Sequence, residues 1–154
     1  MDGITMTVIA WDGHTLAADT GIGNGGIFFK GKKIFEVADG WIAVFGNYDH
    51  AIAVVQWYNK GAKPTEYPPF ANDDSCEFVH VNRKGELRLY NDTQHVPVSI
   101  DNKSFAFGSG REFAIAGMHL GLSAEEAVKL ACKFRDDCRL PLNKVVVKQL
   151  KKTK

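Results

Sequence analysis

The stretch TMTVIAWDGHTLAADT, residues 5–20, constrains the fold more than any other part of the chain. Residues 5–11 alternate small polar and apolar side chains, which is the period of a strand. Asp12-Gly13 follows, a pair that accepts the positive φ of a two-residue hairpin turn. Residues 15–19 then return as a second strand. A chain that begins on a tight hairpin is committed to antiparallel sheet. The stretch also raises a question, because two threonines, Thr5 and Thr7, flank an internal methionine at its start.

The rest of the chain extends this pattern. Strands are expected at 33–37 and 40–46, the second reading as fully buried. A helix is expected over 48–61, with Ile52, Val55 and Asn59 on one face, Ala51, Val54 and Tyr58 beside it, and Gly61 as its stop. GIGNGG, residues 21–26, reads as a flexible loop. It matches the dinucleotide-binding glycine spacing in form, but a strand pattern follows it rather than a helix, which excludes that use. Residues 62–74 form a polar connector with Pro64, Pro68 and Pro69. Strands follow at 75–81 and 86–89, joined by NRKG, with a short one near 95–100 weakened by Pro97. SFAFGSG, residues 104–110, is a strand ending in glycines, and REFAIAGMHLG is a helix of small residues. The helix after Ser123 carries an S-x-x-E capping box with Glu126, and Val128, Leu130 and Phe134 are expected on its apolar side. Residues 143–150 close the chain as a strand. Runs of strands and of helices, without strict alternation, predict an α+β layered domain. The length of 154 residues, with no internal repeat or long linker, predicts one domain over 1–154 with 151–154 as a tail.

Composition excludes several functions. The net charge is +1, and the C-terminal VKQLKKTK is the one basic cluster, so nothing points to nucleic acid or an anionic membrane. No apolar run approaches the roughly 20 residues of a membrane span. MDGITM is short and acidic, unlike a signal peptide. Cys76, Cys132 and Cys138 are odd in number and lack metal-ligand spacing, which predicts free thiols in a cytoplasmic protein. The histidines are scattered, so neither a metal nor another cofactor is expected.

In order along the chain, TVIAWDGHTLAADT, KGKKIFEV, GWIAVFGNYDHA and FAFGSGREFAIAGMHLGLSAEEAVKLACKFRDD resemble the proteasome β-subunit family, including HslV and shorter phage and bacterial homologues. The resemblance implies the N-terminal nucleophile hydrolase fold, a four-layer αββα sandwich of two antiparallel sheets. It also implies a threonine-type peptidase, in which the first residue of the mature chain attacks a peptide carbonyl and its own α-amino group takes the proton. Residue by residue, the resemblance makes Asp19 the family's aspartate. Lys33 becomes the lysine beside the nucleophile, with Lys30 and Lys32 as neighbours. Gly46 becomes the oxyanion glycine, and Ser109 the serine supporting the threonine amine. Asp137 becomes the late aspartate, next to Asp136. Leu140 departs from the pattern, standing where many members carry serine or threonine. Thr7 fits the nucleophile if translation starts at Met6 or if residues 1–6 are a propeptide; Thr5 fits less well. The hairpin should then bring Asp19, Lys33 and one of these threonines together. A homo-oligomer acting on peptide or protein substrates is implied, with an unfoldase partner left unspecified. The alternative is a catalytically silent member of the same fold, serving as an oligomeric structural or interaction protein.

Overall fold

The computed structural model describes residues 4–5, 7–24, 26–70, 76–90 and 95–147. Two antiparallel sheets form its centre. The first has six strands: β1 (Ile4–Thr5), β6 (Ile34–Val37), β7 (Gly40–Asn47), β8 (Cys76–Asn82), β9 (Leu87–Tyr90) and β10 (Pro97–Ile100). Their order is β1-β7-β8-β9-β10, with β6 also paired to β7. The second has four strands, β2 (Ile9–Trp11), β3 (Thr15–Asp19), β11 (Phe105–Phe107) and β12 (Leu142–Val146), in the order β11-β2-β3-β12. Pro97 opens the edge strand β10, where its missing N–H breaks no ladder. The helices are α1 (Ala51–Asn59), α2 (Arg111–His119) and α3 (Ala124–Phe134).

The alternation read in the sequence becomes the layering. Ile9, Trp11, Leu16 and Ala18 point to the first sheet and pack on Ile34, Ala43, Val79 and Val81. Their neighbours Val8, Ala10 and Ala17 point the other way, onto Ala114, Ala127, Val128 and Ala131 of α2 and α3. Small side chains on that face let the helices approach closely. In β7, Ile42 and Val44 face outward onto Ala51, Val54 and Trp57 of α1. The layers therefore run α1, first sheet, second sheet, α2 with α3: an α+β, four-layer αββα sandwich. Gly117 makes the α2–α3 contact possible, since a Cβ there would stand 2.9 Å from Leu122 Cδ1 and 3.0 Å from Leu130 Cδ2.

Several elements differ from the sequence reading. Residues 5–11 are not one strand. Ile4–Thr5 belong to the first sheet and Ile9–Trp11 to the second. Thr7 and Val8 donate their backbone N–H groups to side chains instead, Thr7 N to Ser109 Oγ and Val8 N to Asp19 Oδ1. Residues 21–26 are not a plain loop: β4 (Gly21–Asn24) pairs β5 (Ile27–Lys30) as a hairpin arm. Glycine spacing permits it, because a Cβ on Gly23 would sit 3.3 Å from the Phe28 ring. The predicted helix 48–61 starts as a 3-10 turn, Tyr48–His50, and becomes α-helical only at Ala51. Of the two adjacent faces, the side of Ala51 and Val54 is buried, together with Trp57, while Ile52 is exposed. In α3, Ala124, Ala127, Val128 and Ala131 are buried, Leu130 is half-buried and Phe134 is exposed. The connector packs rather than wanders: Trp57 donates its indole N–H to Lys63 O at 2.8 Å and meets Tyr67 edge-on. The tail 151–154 and the end of the last predicted strand lie outside the described residues.

The capping box of α3 is present in both directions. Ser123 Oγ accepts from Glu126 N, and the Glu126 carboxylate accepts from Ser123 N, each at 3.2 Å. Ser123→Ala should lower stability by about 1 kcal/mol, read as a shifted urea midpoint with an unchanged slope.

Candidate active site

The site gathers where β3 ends. Asp19 is fully buried, and its carboxylate accepts from separate parts of the chain. Oδ1 takes Val8 N at 3.0 Å and Lys33 Nζ at 2.8 Å. Oδ2 takes Gly21 N at 3.2 Å and Arg139 N at 3.0 Å. One carboxylate thus joins the approach to β2, the start of β4, the approach to β6 and the loop after α3. Thr20 reinforces the last link, with its N–H on Arg139 O and its hydroxyl on Pro141 O.

Lys33 precedes β6, where its carbonyl accepts Val44 N at 3.0 Å. Its side chain is buried while Lys30 and Lys32 are exposed, so only Lys33 of the three reaches Asp19. Burial pushes the Lys33 ammonium below the ordinary lysine value of 10.5, and the Asp19 charge opposes that shift.

Thr7 is buried beside this pair along the chain, one residue before the Val8 amide that Asp19 holds. Its nitrogen donates to Ser109 Oγ at 3.1 Å, and its carbonyl accepts Gly110 N at 3.2 Å. The G-S-G turn wraps this residue closely: Gly108 has φ +90°, and a Cβ there would lie 2.1 Å from Thr7 O. Thr5 is paired with Gly46 on β7, and Ile4 with Asn47. Gly46 is half-buried with φ +97°. Asp137 is bound by Arg135, 3.0 Å from Nε and 2.5 Å from Nη2, and that guanidinium holds its carboxyl below the usual carboxylate range. Cys138 stands between Asp137 and Ser109, a residue for which the sequence offered no signal beyond a free thiol. Leu140 is half exposed.

No protein-family model and no curated protein matches the sequence. Among solved structures, the chain is similar to BPH of Thiobacillus denitrificans, a bacterial proteasome homologue, with a TM-score of 0.72 and 20% identity over 94% of this chain and 98% of that one. The structure of that protein in complex with epoxomicin gives 0.68 and 17% over 92% and 98%. Eukaryotic HslV from Trypanosoma brucei gives 0.68 and 17% over 91% and 98%. The fold is that of the N-terminal nucleophile hydrolases. Among the described residues no group of His, Cys, Asp and Glu is arranged to hold a metal, and no helix is long and apolar enough to cross a membrane.

The geometry makes Asp19 the hub and Lys33 one of its spokes. Lys33→Met leaves Asp19 with three backbone donors, which by themselves suit a carboxylate. Asp19→Ala strips the buried ammonium of its counter-charge and those amides of their acceptor. Asp19→Ala should therefore cost about 3–5 kcal/mol in denaturant unfolding, and Lys33→Met clearly less. Equal costs would contradict the hub assignment.

Proposed function

We propose that the chain is a subunit of a proteasome-like peptidase of the N-terminal threonine type, with Thr7 as nucleophile after residues 1–6 are removed. The observation that carries this reading is the buried Lys33–Asp19 pair bonded to the Val8 amide, with Ser109 on the nitrogen of Thr7. In this reading the Thr7 hydroxyl adds to a peptide carbonyl, and its proton passes to the Thr7 α-amine. The C–N bond then breaks, the leaving amine takes that proton, and water hydrolyses the resulting ester. Lys33, as the ammonium, stabilises the negative charge growing on the Thr7 oxygen. The Gly46 N–H stabilises the carbonyl oxygen as it becomes an oxyanion. Ser109 fixes the amine, and Asp137 supports it from the far side. The similarity in fold to BPH and HslV supports a homo-oligomeric, cytoplasmic, single-domain subunit that takes peptide or protein substrates.

Two features support keeping the second reading, a silent member of the fold. Met6 precedes Thr7, so the Thr7 nitrogen is an amide here and cannot serve as a base. Ile4–Thr5 also sits on β7 at Gly46, on the edge a peptide would need. Removal of residues 1–6 relieves both conditions. A free threonine amine titrates near about 7.7–8.0, within reach of neutral pH.

A chain beginning at Thr7, verified by intact mass, should hydrolyse small peptide amides or esters where the full chain does not. Thr7→Ala should abolish turnover, and Lys33→Ala should lower it by about a hundredfold or more. No turnover across a broad peptide panel, together with no labelling by epoxomicin, would favour the silent reading. The pH profile carries a separate expectation. Lys33 acts as the ammonium, and its pKa lies below 10.5, so it loses its proton earlier than a free lysine. Activity should accordingly fall on the alkaline side at a pH below 10.5. An activity still rising through that value would remove Lys33⁺ from the mechanism.

A further inference from the structure

We propose that Cys138 is a positioning residue for the Thr7 nitrogen, its thiol joining Ser109 to the Asp137 carboxylate. The inference rests on the reading of Thr7 as nucleophile for its functional meaning, and on the contacts alone for its geometry.

The contacts form a line. Thr7 N lies 3.1 Å from Ser109 Oγ, Ser109 Oγ lies 3.9 Å from Cys138 Sγ, and Cys138 Sγ lies 3.6 Å from Asp137 Oδ1. Arg135 holds the far end by binding the same carboxylate. Proton counting gives the line a direction. An ionised carboxylate only accepts, so the one thiol proton goes to Asp137. The sulfur then offers a lone pair to the Ser109 hydroxyl. Ser109, with its own proton drawn toward the thiol, presents an oxygen lone pair to the Thr7 nitrogen. Its competing acceptor is Thr7 O at 3.4 Å.

Two further observations favour a built contact. Gly110 leaves the space the thiol fills, since a Cβ there would stand 3.0 Å from Cys138 Sγ. The thiol is buried and its pKa is pushed up to about 12, largely by burial and by the nearby Asp19 charge. It therefore stays protonated and remains a donor at neutral pH. Leu140, by contrast, is half exposed and its side chain has no donor. For an amine that must act as a base, the direction matters. A Ser109 hydroxyl that donated to the amine would occupy the lone pair needed to take the threonine proton.

The same cysteine also belongs to the apolar cluster under α2 and α3, so the test must separate packing from positioning. Hydrogen exchange in the full-length chain does this without any catalysis. In Cys138→Ala the Thr7 amide should exchange up to about tenfold faster, the scale of one hydrogen bond, while the Val8 and Gly110 amides stay unchanged. Cys138→Ser, which carries the same donor and acceptor, should restore the slow exchange at Thr7. An unchanged Thr7 amide in Cys138→Ala, or an equal rise at Thr7, Val8 and Gly110, overturns the proposal and leaves a packing role. In the chain beginning at Thr7, Cys138→Ala should lower kcat by about ten- to a hundredfold at unchanged KM, with Cys138→Ser recovering it. A complete lack of turnover in the parent chain would defeat the peptidase reading, while the exchange data would still decide the Cys138 link.

Discussion

The Asp19 carboxylate is the contact on which the rest of this structure depends. A carboxylate out of water is tolerated only if its lone pairs are filled, and the full desolvation penalty falls on any arrangement that leaves them open. The donors that fill them come from residues 8, 21, 33 and 139. They belong to the approaches to β2, β4, β6 and β12, and thus to both sheets. The two sheets are joined by apolar contacts that have no preferred register of their own, such as Leu16 and Ala18 against Ala43 and Val79. Directional bonds to one carboxylate supply that register. They also hold the Val8 amide beside the Lys33 ammonium, so the same carboxylate serves the core and the site.

The fold was legible in the sequence because its layers are written in alternation. In the structure Ile9 and Trp11 enter the inter-sheet core while Val8 and Ala10 face the helices, the period of two that a strand imposes. The capping box at Ser123 was legible for the same reason, since the whole device is local. Failures came where a local pattern met a tertiary demand. Trp57 stood on neither face read for α1, and it turns inward where the connector's Lys63 carbonyl accepts its indole N–H. The glycines of residues 21–26 looked flexible, yet Gly23 makes room for Phe28 across the hairpin, and that neighbour is invisible to spacing alone.

The candidate site divides the same way. Asp19 and Lys33 were named through an ordered resemblance, and the choice of Lys33 over Lys30 and Lys32 rested on its place directly before β6. Burial gives that choice a physical basis, because only the residue that enters the β6–β7 ladder turns its side chain inward to Asp19. Cys138 had no comparable signal. A lone thiol near the end of a helix reads as a core filler, and its proximity to Ser109 spans 29 residues of sequence. Only the docking of the G-S-G turn against the loop after α3 makes the two neighbours.

The upstream residues show how tightly the site and the sheet are coupled. The edge of β7 is shared: β6 pairs it from Gly40 to Ala43, Lys33 O takes Val44 N, and Ile4–Thr5 pairs it at Gly46 and Asn47. Lys33 therefore stands at the seam between a permanent strand and the segment ahead of Thr7. On the proposed reading, one cleavage at that seam does two things that otherwise would need separate devices. It converts the Thr7 nitrogen from an amide into a base, and it opens the strand edge beside Gly46. Neither change alone would suffice, because a base without an open edge has no substrate and an open edge beside an amide has no base. The bonds from the Thr7 nitrogen to Ser109, from Gly110 to the Thr7 carbonyl and from Val8 to Asp19 lie at or after the Thr7 nitrogen. On the proposed reading these bonds remain in place when residues 1–6 are removed.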